Sequence, residues 1–393
     1  MIKKYIIPLL LFCCISKVLA YDFKLNNIYY NIISTNEVET TCMGNNCYSG
    51  TIYIPSSVNY NNKIYTVSTI GNMTFQACDN LSLVVIPESI TSINTLAFEQ
   101  CTSLKFIKIP NSVTYIGDNA FGGCSKLDSI SISSENPCYN YINDVIFTKD
   151  TTTLIQCMAT KSGNYELPHS VVKINKNAFE FCSKLTSITL PERISNIEEH
   201  AFTFCSNLES INIPQDMTQL NDYTFSFCSK LRSINIPEKI TSIGSYVFSY
   251  CGSLNSIYNY SKSPVDLKNS LYVFNYVDKT SCKLYVPKGS KTMYQISDQW
   301  KEFSSIIEMN TASELTEDIR INIYPNPANK FIYFEGLPED NQLTICDLTG
   351  KVFYSQKISN NVRIETYNWP NGIYIALIIS NDQTTKRKFT KLN

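Results

Sequence analysis

The sequence has few charged residues and almost no histidine. Charged residues make up 17% of the 393 residues, and 33 Lys and Arg nearly balance 34 Asp and Glu. This balance does not favour nucleic acid or an anionic membrane as a partner, because both need a basic face. The two histidines, His169 and His200, are interpreted as surface variation. Gly-x-Ser-x-Gly, His-Glu-x-x-His, phosphate-loop and dinucleotide motifs are missing. The sequence therefore predicts no catalytic residues and no cofactor.

Long apolar segments are also missing. After the first twenty residues, the best candidate for a membrane span is residues 373–379, which is far too short to cross a bilayer. The N-terminus has Lys3 and Lys4, an apolar run over residues 5–15, and small residues at Val18 and Ala20. This order is typical of a secretory signal peptide over residues 1–20, cleaved before Tyr21.

Paired cysteines of the Cys-x-x-Cys type do not occur, so the sequence predicts no metal site. The cysteines show a regular spacing instead. Seven of them follow a 23-residue period, interrupted once between the third and the fourth: Cys78, Cys101, Cys124, Cys182, Cys205, Cys228 and Cys251. A Phe precedes each by three positions. We expect these cysteines to form a column of buried, reduced thiols, because free Cys behaves as a small hydrophobe in a core.

Each repeat predicts one coil of a solenoid. The segment Leu-x-x-Ile-x-Ile ends in alternation, as a half-buried strand does, and the following Pro closes the strand. An Ile-x-x-Ile segment turns the chain, and Ala-Phe-x-x-Cys is expected to make a short helical or 3₁₀ turn with Phe and Cys pointing inward. One coil cannot bury its apolar side alone, so the coils should stack with parallel strands.

The full pattern, seen plainly in residues 104–124 and 185–205, resembles the BspA-like leucine-rich repeat of bacterial surface proteins. The resemblance implies a solenoid, surface exposure, protein-binding or adhesive roles, and no catalysis. We place the repeats at residues 67–258, an N-terminal cap at 21–66 and a C-terminal cap at 259–309. The predicted fold is a β-rich leucine-rich-repeat solenoid of parallel strands with short helical turns.

One unit is longer than the others, because the interval from Cys124 to Cys182 is more than twice the regular spacing. The extra piece, near residues 133–167, contains two strand-like runs around Lys149 and Asp150 and predicts a β-hairpin. Its role is left open between a tolerated insertion and a functional element.

Cysteines outside the column allow disulfides. Cys42 and Cys47 are the favoured pair, followed by Cys138 and Cys157 across the base of the hairpin.

The C-terminal region has a different composition. Small and acidic residues at 310–318 predict a linker. Short apolar runs separated by turn signals, such as Thr349-Gly350 and Asn371-Gly372, then predict a small all-β sandwich.

Four motifs of this region resemble the C-terminal sorting domain of the type IX (Por) secretion system, over residues 319–393. They are Tyr-Pro-Asn-Pro-Ala from Tyr324, Asp-Leu-Thr-Gly-Lys from Asp347, Asn-Gly-Ile-Tyr from Asn371, and the basic tail from Lys386. The resemblance implies a Gram-negative host, passage across the outer membrane by the type IX machinery and removal of the domain. The alternative is an adhesive β-sandwich.

Outward positions of the predicted strands form the candidate binding face. Towards the C-terminus they are hydroxyl- and amide-rich: Ser187, Thr189, Ser210, Asn212, Ser233, Asn235, Ser256 and Tyr258. Ser and Thr also merely tolerate exposed strands, and drift of the repeats explains such a column without a ligand. Towards the N-terminus, Leu83, Val85 and Phe106 form an apolar patch, which is either a contact site or lies under the N-terminal cap.

These observations favour a secreted or surface adhesin-like protein that binds an extracellular protein or glycan through the sheet face. The alternative is a structural protein that self-associates in an extracellular layer. A secreted hydrolase is the least favoured interpretation.

Overall fold

The structure is a computed structural model that describes residues 21–44, 48–309, 321–326, 328–337, 341–347, 349–358, 361–380 and 383–392. The predicted signal peptide and linker lie outside the described residues. The chain divides into two compact units, one formed by Met1–Leu284 with Met293–Ser305 and the other by Tyr285–Thr292 with Ile306–Asn393. The predicted C-terminal cap is therefore shared between the two units.

Short strands make up nearly all of the regular structure. The strands that precede the first full repeat are β1 (Phe23–Leu25), β2 (Ile28–Ile32), β3 (Glu37–Thr41), β4 (Gly50–Tyr53), β5 (Ser57–Tyr60) and β6 (Lys63–Ile70). The repeats contribute β7 (Leu81–Val85), β8 (Ser92–Ile93), β9 (Phe106–Ile109), β10 (Tyr115–Ile116), β11 (Ser129–Ile132), β12 (Tyr139–Ile142), β13 (Val145–Thr148), β14 (Thr153–Cys157), β15 (Gly163–Glu166), β16 (Lys173–Ile174), β17 (Leu185–Thr189), β18 (Asn196–Ile197), β19 (Ser210–Ile211), β20 (Gln219–Leu220), β21 (Ser233–Ile236), β22 (Ser242–Ile243) and β23 (Ser256–Asn259).

The elements that follow the repeats include the helical segments of the described chain. They are β24 (Lys283–Pro287), α1 (Lys291–Ile296), a 3₁₀ helix (Trp300–Glu302) and β25 (Ser305–Met309). The C-terminal region contains β26 (Asn322–Tyr324), β27 (Phe331–Glu335), β28 (Asn341–Asp347), β29 (Val352–Ile358), β30 (Val362–Glu365), β31 (Gly372–Ser380) and β32 (Gln383–Lys391).

Two parallel strand ladders run along the solenoid. The first ladder is built from the Leu-x-x-Ile-x-Ile segments, as in β4, β7, β9 and β11, and equivalent residues of successive repeats pair in register, for example Ser129 with Phe106. The second ladder is built from two-residue strands such as β8 and β10, where Tyr115 pairs with Ser92. Burial alternates along β9, so every second side chain of the first ladder faces outward.

The third side of each coil consists of β-turns, where the sequence predicted helical turns. In one coil, Ala97 N donates to Asn94 O at 3.2 Å and Cys101 N donates to Phe98 O at 3.1 Å. The third residue of each turn, Leu96 or Gln100, has a positive φ of 60° or 56°, which is the type II geometry. Phe98 N donates to Ala120 O of the next coil at 2.8 Å, so the backbone hydrogen bonds of this side run between coils rather than along a helix.

The core contains one column of Phe rings and one column of thiols. Successive Phe rings stack on each side of the long unit, with centroids 4.9 Å apart for Phe75 and Phe98 and 5.8 Å apart for Phe248 and Phe274. All seven cysteines of the repeat pattern are buried and free of disulfides. Several thiols donate to the Phe carbonyl of the preceding coil, as Cys101 Sγ does to Phe75 O at 3.0 Å. Cys therefore supplies both a small apolar volume and a donor at this position.

The long unit interrupts the regular stacking. Strands β12, β13 and β14 form an antiparallel meander, and β14 also pairs in parallel with β16, so the insertion returns the chain to the second ladder. The backbone amide of Phe121 donates to a side chain instead of to a backbone carbonyl of the next coil. Its acceptor is Gln156 Oε1, at 3.2 Å. Gln156 is fully buried and donates through Nε2 to Asn119 Oδ1 at 3.1 Å.

Two carboxyl groups complete this polar network. Glu180 Oε2 accepts from Asn119 Nδ2 at 2.8 Å and from Asn177 Nδ2 at 2.6 Å. Glu99 Oε2 accepts from Gln76 Nε2 at 2.5 Å. Burial, with the nearby Glu99 charge, raises the pKa of Glu180 to about 8.

The predicted disulfides have different outcomes. Cys42 is disulfide-bonded, and Cys47, its predicted partner, lies outside the described residues. The predicted bridge between Cys138 and Cys157 is wrong, because both are free. Cys157 pairs with Val145 at the start of β13, whereas Cys138 O accepts from Lys149 N beyond the other end of that strand. The meander therefore holds the two thiols at opposite ends.

Aromatic residues cover both ends of the Phe column. At the N-terminal end, the Tyr48 ring lies 4.9 Å from Phe75. At the other end, Trp300 and Phe303 lie 5.0 and 5.1 Å from Phe274. The indole N–H of Trp300 donates to Val265 O at 2.9 Å, so this large ring is buried without an unpaired polar atom.

The C-terminal region is a β-sandwich of two antiparallel sheets. One sheet has the order β26-β27-β30 and the other β29-β28-β31-β32. Their facing side chains form a separate core of Ile321, Ala328, Ile332, Phe334, Leu337, Leu343, Ile345, Ile364, Tyr374, Ala376, Ile378 and Phe389.

We expect the thiol column to resist modification in the folded protein. Burial raises the pKa of the Cys205 and Cys228 thiols well above the ordinary value and that of Cys251 to about 12, so the reactive thiolate is suppressed as well as inaccessible. Mass spectrometry after iodoacetamide treatment should show these cysteines unlabelled in the native protein and labelled in denaturant without reductant. A disulfide-linked peptide joining Cys205 to Cys228 would contradict this expectation.

The Glu180 carboxyl should make stability depend on pH. Its folded pKa of about 8 lies above the ordinary value of 4.5, so the folded chain retains a proton that the unfolded chain releases. Its contribution is therefore fully present below about pH 4.5 and is lost as the pH rises through about 8. Glu180→Gln keeps an acceptor for Asn119 and Asn177 but cannot ionise.

We therefore measure melting temperatures from about pH 5 to 8.5. The melting temperature of the Glu180→Gln variant, relative to that of the wild type, should increase as the pH rises. Glu238→Gln, at an exposed position, is the control and should follow the wild type. Parallel curves for wild type and Glu180→Gln would show that this carboxyl does not titrate in the expected range.

Candidate functional site

The hydroxyl- and amide-rich residues predicted from the sequence lie together on the outer face of the first ladder. Register places Ser187 beside Ser210, Ser233 beside Ser256, and Asn235 beside Tyr258. Thr189, Ser210 and Ser233 are exposed, and the others are half-buried. The arrangement offers small polar groups at the spacing of adjacent parallel strands, about 4.8 Å.

Asn212 differs from the other members of this face, because its side chain is already engaged. Its Oδ1 accepts from Leu190 N at 2.7 Å and its Nδ2 donates to Leu190 O at 2.8 Å. The amide thus substitutes for a backbone ladder where β19 has ended at Ile211. The expectation that Asn212 simply points to solvent is corrected, and we assign it to the support of the sheet.

The apolar patch at the N-terminal end of the same face is exposed. Val85 and Phe106 are each 41% exposed, so the N-terminal cap does not cover them. A further residue extends the patch, because Tyr53 of β4 lies beside Val85 and is 70% exposed. The sequence analysis missed Tyr53, although Ile52-Tyr53-Ile54-Pro55 carries the strand-ending part of the repeat pattern.

The histidines do not form a catalytic arrangement. His169 is exposed in a turn. His200 is half-buried and stacks on Tyr223 at 4.5 Å, and burial lowers its pKa. It therefore belongs to a row of aromatic rings and is more than surface variation. In the described part of the chain, no group of three or more His, Cys, Asp or Glu side chains is arranged to hold a metal ion.

Two motifs of the C-terminal sandwich have clear structural roles. Asp347 Oδ1 accepts from Thr349 N at 2.8 Å, Thr349 Oγ1 at 2.6 Å and Lys351 N at 3.1 Å, which lowers its pKa and fixes the turn between β28 and β29. Gly350 in this turn has a φ of 88°, which favours glycine. Asn326 Oδ1 accepts from Thr390 N at 2.9 Å, so the Tyr-Pro-Asn-Pro-Ala motif is held against the basic last strand.

The repeats match a family model. The model of the BspA type leucine rich repeat region matches six copies, over residues 41–163 and 156–277. The chain belongs to the BspA-type leucine-rich repeat family. A second model, the secretion system C-terminal sorting domain, matches residues 322–391. This BspA-type protein is therefore type IX secretion cargo, and it is secreted or held at the outer cell surface. Both families are typically non-enzymatic.

The chain is similar to solved structures of bacterial proteins. The pneumococcal vaccine antigen PcpA is 16% identical over 74% of this chain and 98% of its own, with a TM-score of 0.52. A leucine rich cell surface protein from Faecalibacterium prausnitzii is 20% identical over 75% of this chain and 96% of its own, with a TM-score of 0.46. No curated protein matches the chain.

Helices of this BspA-type protein do not reach membrane-spanning length and hydropathy within the described residues.

Deletion of residues 319–393 should stop export at the periplasm, because it removes the sorting domain. Cell fractionation and surface proteolysis are the measurements. Asp347→Asn, which keeps the Oδ1 acceptor of the turn, should be exported like the wild type and serves as the control. Equal surface levels of truncated and full-length protein would show that export does not depend on this domain.

Proposed function

We propose that this protein is an adhesin-like, non-catalytic binding protein that takes an extracellular protein on the outer face of its first ladder. The observation that carries the proposal is the exposed apolar patch of Tyr53, Val85 and Phe106, which adjoins the columns of small hydroxyls on the same face. The sequence left two ligand classes open, a protein and a glycan. A protein fits this face better, because protein interfaces combine an apolar area with hydrogen-bonding groups, as this sheet face does.

The apolar patch supports binding more strongly than the Ser columns do. Ser and Thr on exposed strands need no ligand to explain them. Large apolar side chains in adjacent exposed positions are unusual on a monomer, and such patches commonly mark contact sites. Aromatic residues also supply much of the binding energy in protein interfaces, which makes Tyr53 and Phe106 the expected anchors.

The charge of the face supports a partner of low net charge. Lys108 lies beside Ser131 in the same ladder, and the outward positions of β17, β19, β21 and β23 carry no charged side chain. The face therefore offers few charges that could attract a strongly charged ligand electrostatically.

Substitution of the apolar anchors should weaken binding without unfolding the protein. We expect Tyr53→Ser with Phe106→Ser to lower affinity for an immobilised extracellular-matrix protein by at least tenfold, since each anchor contributes about 1–2 kcal/mol. Ser210→Lys with Ser233→Lys should also weaken binding by steric and charge conflict. Asn212 is left unchanged because it supports Leu190.

Matched controls lie on the second ladder. Gln219 and Ser242 are exposed, pair with each other in two-residue strands, and face another side of the coil. Gln219→Lys with Ser242→Lys should leave affinity and melting temperature unchanged. If both sheet variants bind like the wild type with unchanged melting curves, the site is not on the first ladder. A different result would favour a self-associating surface protein instead: the wild type forms oligomers as its concentration rises, and the Tyr53→Ser, Phe106→Ser variant does not.

A further inference from the structure

Two columns of partly exposed aromatic rings line the turn side of the last coils. They lie two residues before and two residues after each core Phe. The first column is His200, Tyr223, Tyr246 and Tyr272, and the second is Phe181, Phe204, Phe227, Tyr250 and Tyr276. Neighbouring centroids are 4.1–5.5 Å apart.

The fold does not require aromatic residues at these positions. All of these column residues have a positive φ, as the third residues of type II turns do, and such positions favour Gly or Asn. The equivalent positions of earlier coils hold Leu96 and Asn119 in the first column and Gln100 and Gly123 in the second. The same turn therefore forms without rings, and the later coils accept strained aromatic residues there.

Within the columns, each ring covers the face of the next. Tyr223 is nearly parallel to both His200 and Tyr246, with interplanar angles of 8°. At the last coil this coverage ends, and Tyr272 and Tyr276 are 59% and 61% exposed. Tyr272 is also tilted by 39° from Tyr246. The column therefore ends in broad aromatic surface that is open to solvent.

An open cavity of about 580 Å³ lies beside Tyr272. Hydrogen-bonding side chains line the same cavity: Lys268, Asn275, Lys279, Asp298, Lys301 and Glu302. The cavity thus combines one exposed ring with several donors and acceptors.

The cavity is held in place by buried contacts. Gln299 Oε1 accepts from Val273 N at 2.8 Å, and its Nε2 donates to Leu267 O at 3.2 Å and to Ser270 O at 2.5 Å. The adjacent Trp300 is fully buried. The segment that carries Asp298 and Glu302 is therefore anchored to the last coil, so a ligand would meet a preformed site.

The charges of the cavity are largely neutralised. Lys301 Nζ lies 2.7 Å from Asp298 Oδ1, and Lys279 Nζ lies 2.8 Å from Glu302 Oε2. These ion pairs disfavour a strongly charged ligand but leave oxygen and nitrogen atoms for hydrogen bonds. A sugar ring matches this chemistry, because one face presents C–H groups to an aromatic ring while its edge presents hydroxyls.

We propose that the cavity between Tyr272 and the segment containing Asp298 and Glu302 binds a neutral hexose unit of a glycan. The site is separate from the first-ladder face and takes a different class of ligand. Tyr272 contacts the C–H face of the sugar, and the paired Lys and carboxylate side chains hydrogen-bond its hydroxyls.

Affinity electrophoresis of the full-length protein in gels containing dextran, mannan or galactan tests this proposal. We expect retardation by at least one of them and none by heparin. Tyr272→Ala should abolish the retardation, and Tyr272→Phe should keep most of it. Competition with released neutral host glycans or with free bacterial polysaccharide then distinguishes the two natural sources of such a ligand.

Tyr223→Ala is the matched control, since it removes a ring of the same column that stacks on His200 and Tyr246 and does not line the cavity. It should be retarded like the wild type. The Ser210→Lys, Ser233→Lys variant should also be retarded like the wild type. Failure of the first-ladder proposal can then be distinguished from failure of the glycan proposal. Absence of retardation on all three neutral polysaccharides, or equal retardation of wild type and a folded Tyr272→Ala variant, overturns the proposal.

Discussion

The hydrogen bond from the core Phe amide to the carbonyl of the next coil is the contact on which the rest of the solenoid depends. Phe98 N donates to Ala120 O and Phe202 N to Thr224 O, so in both cases the acceptor lies just before the core Phe of the following coil. These groups are buried, so leaving them unpaired is costly. Keeping this bond from coil to coil fixes the register in which the turn sides stack. That register places Phe on Phe and, in most coils, places the thiol near the Phe carbonyl of the preceding coil.

The interrupted coil shows what happens when that bond is lost. Phe121 has no carbonyl at the regular position of the next coil, and the side-chain amide of Gln156 replaces it. Bringing one polar side chain into the core then requires partners for its other atoms, which Asn119 and the two carboxyl groups supply. A half-buried carboxyl with a raised pKa is therefore a consequence of accommodating the insertion.

The sequence predicted the stacked coils and the inward columns, because a 23-residue period in Phe and Cys directly reports the repeat of a stacked structure. It did not predict the left-handed turn residues, since Leu96, Gln100 and several Tyr occupy positions where Gly or Asn would have signalled positive φ. Asn212 was interpreted as a solvent-facing amide because strand alternation says nothing about where a neighbouring strand ends. The Cys138–Cys157 bridge was wrong because a third strand, β12, changed which ends of the insertion meet. Long-range pairing decides the last two features, and it is not encoded within one repeat.

Outward residues of a solenoid can change without altering the register, because each coil contacts only its neighbours and the inward columns carry the stacking. Places where an outward column changes character are therefore informative about function. The first ladder changes from Tyr53, Val85 and Phe106 to Ser and Asn near its middle. The turn side changes in the opposite direction, from Asn119 and Gly123 to rings that end at Tyr272 and Tyr276. Since Phe stacks on Phe in the coils before and after both transitions, neither change is needed for the stacking of the coils. The two surfaces lie on different sides of the coil, so the two proposed ligands would contact different residues.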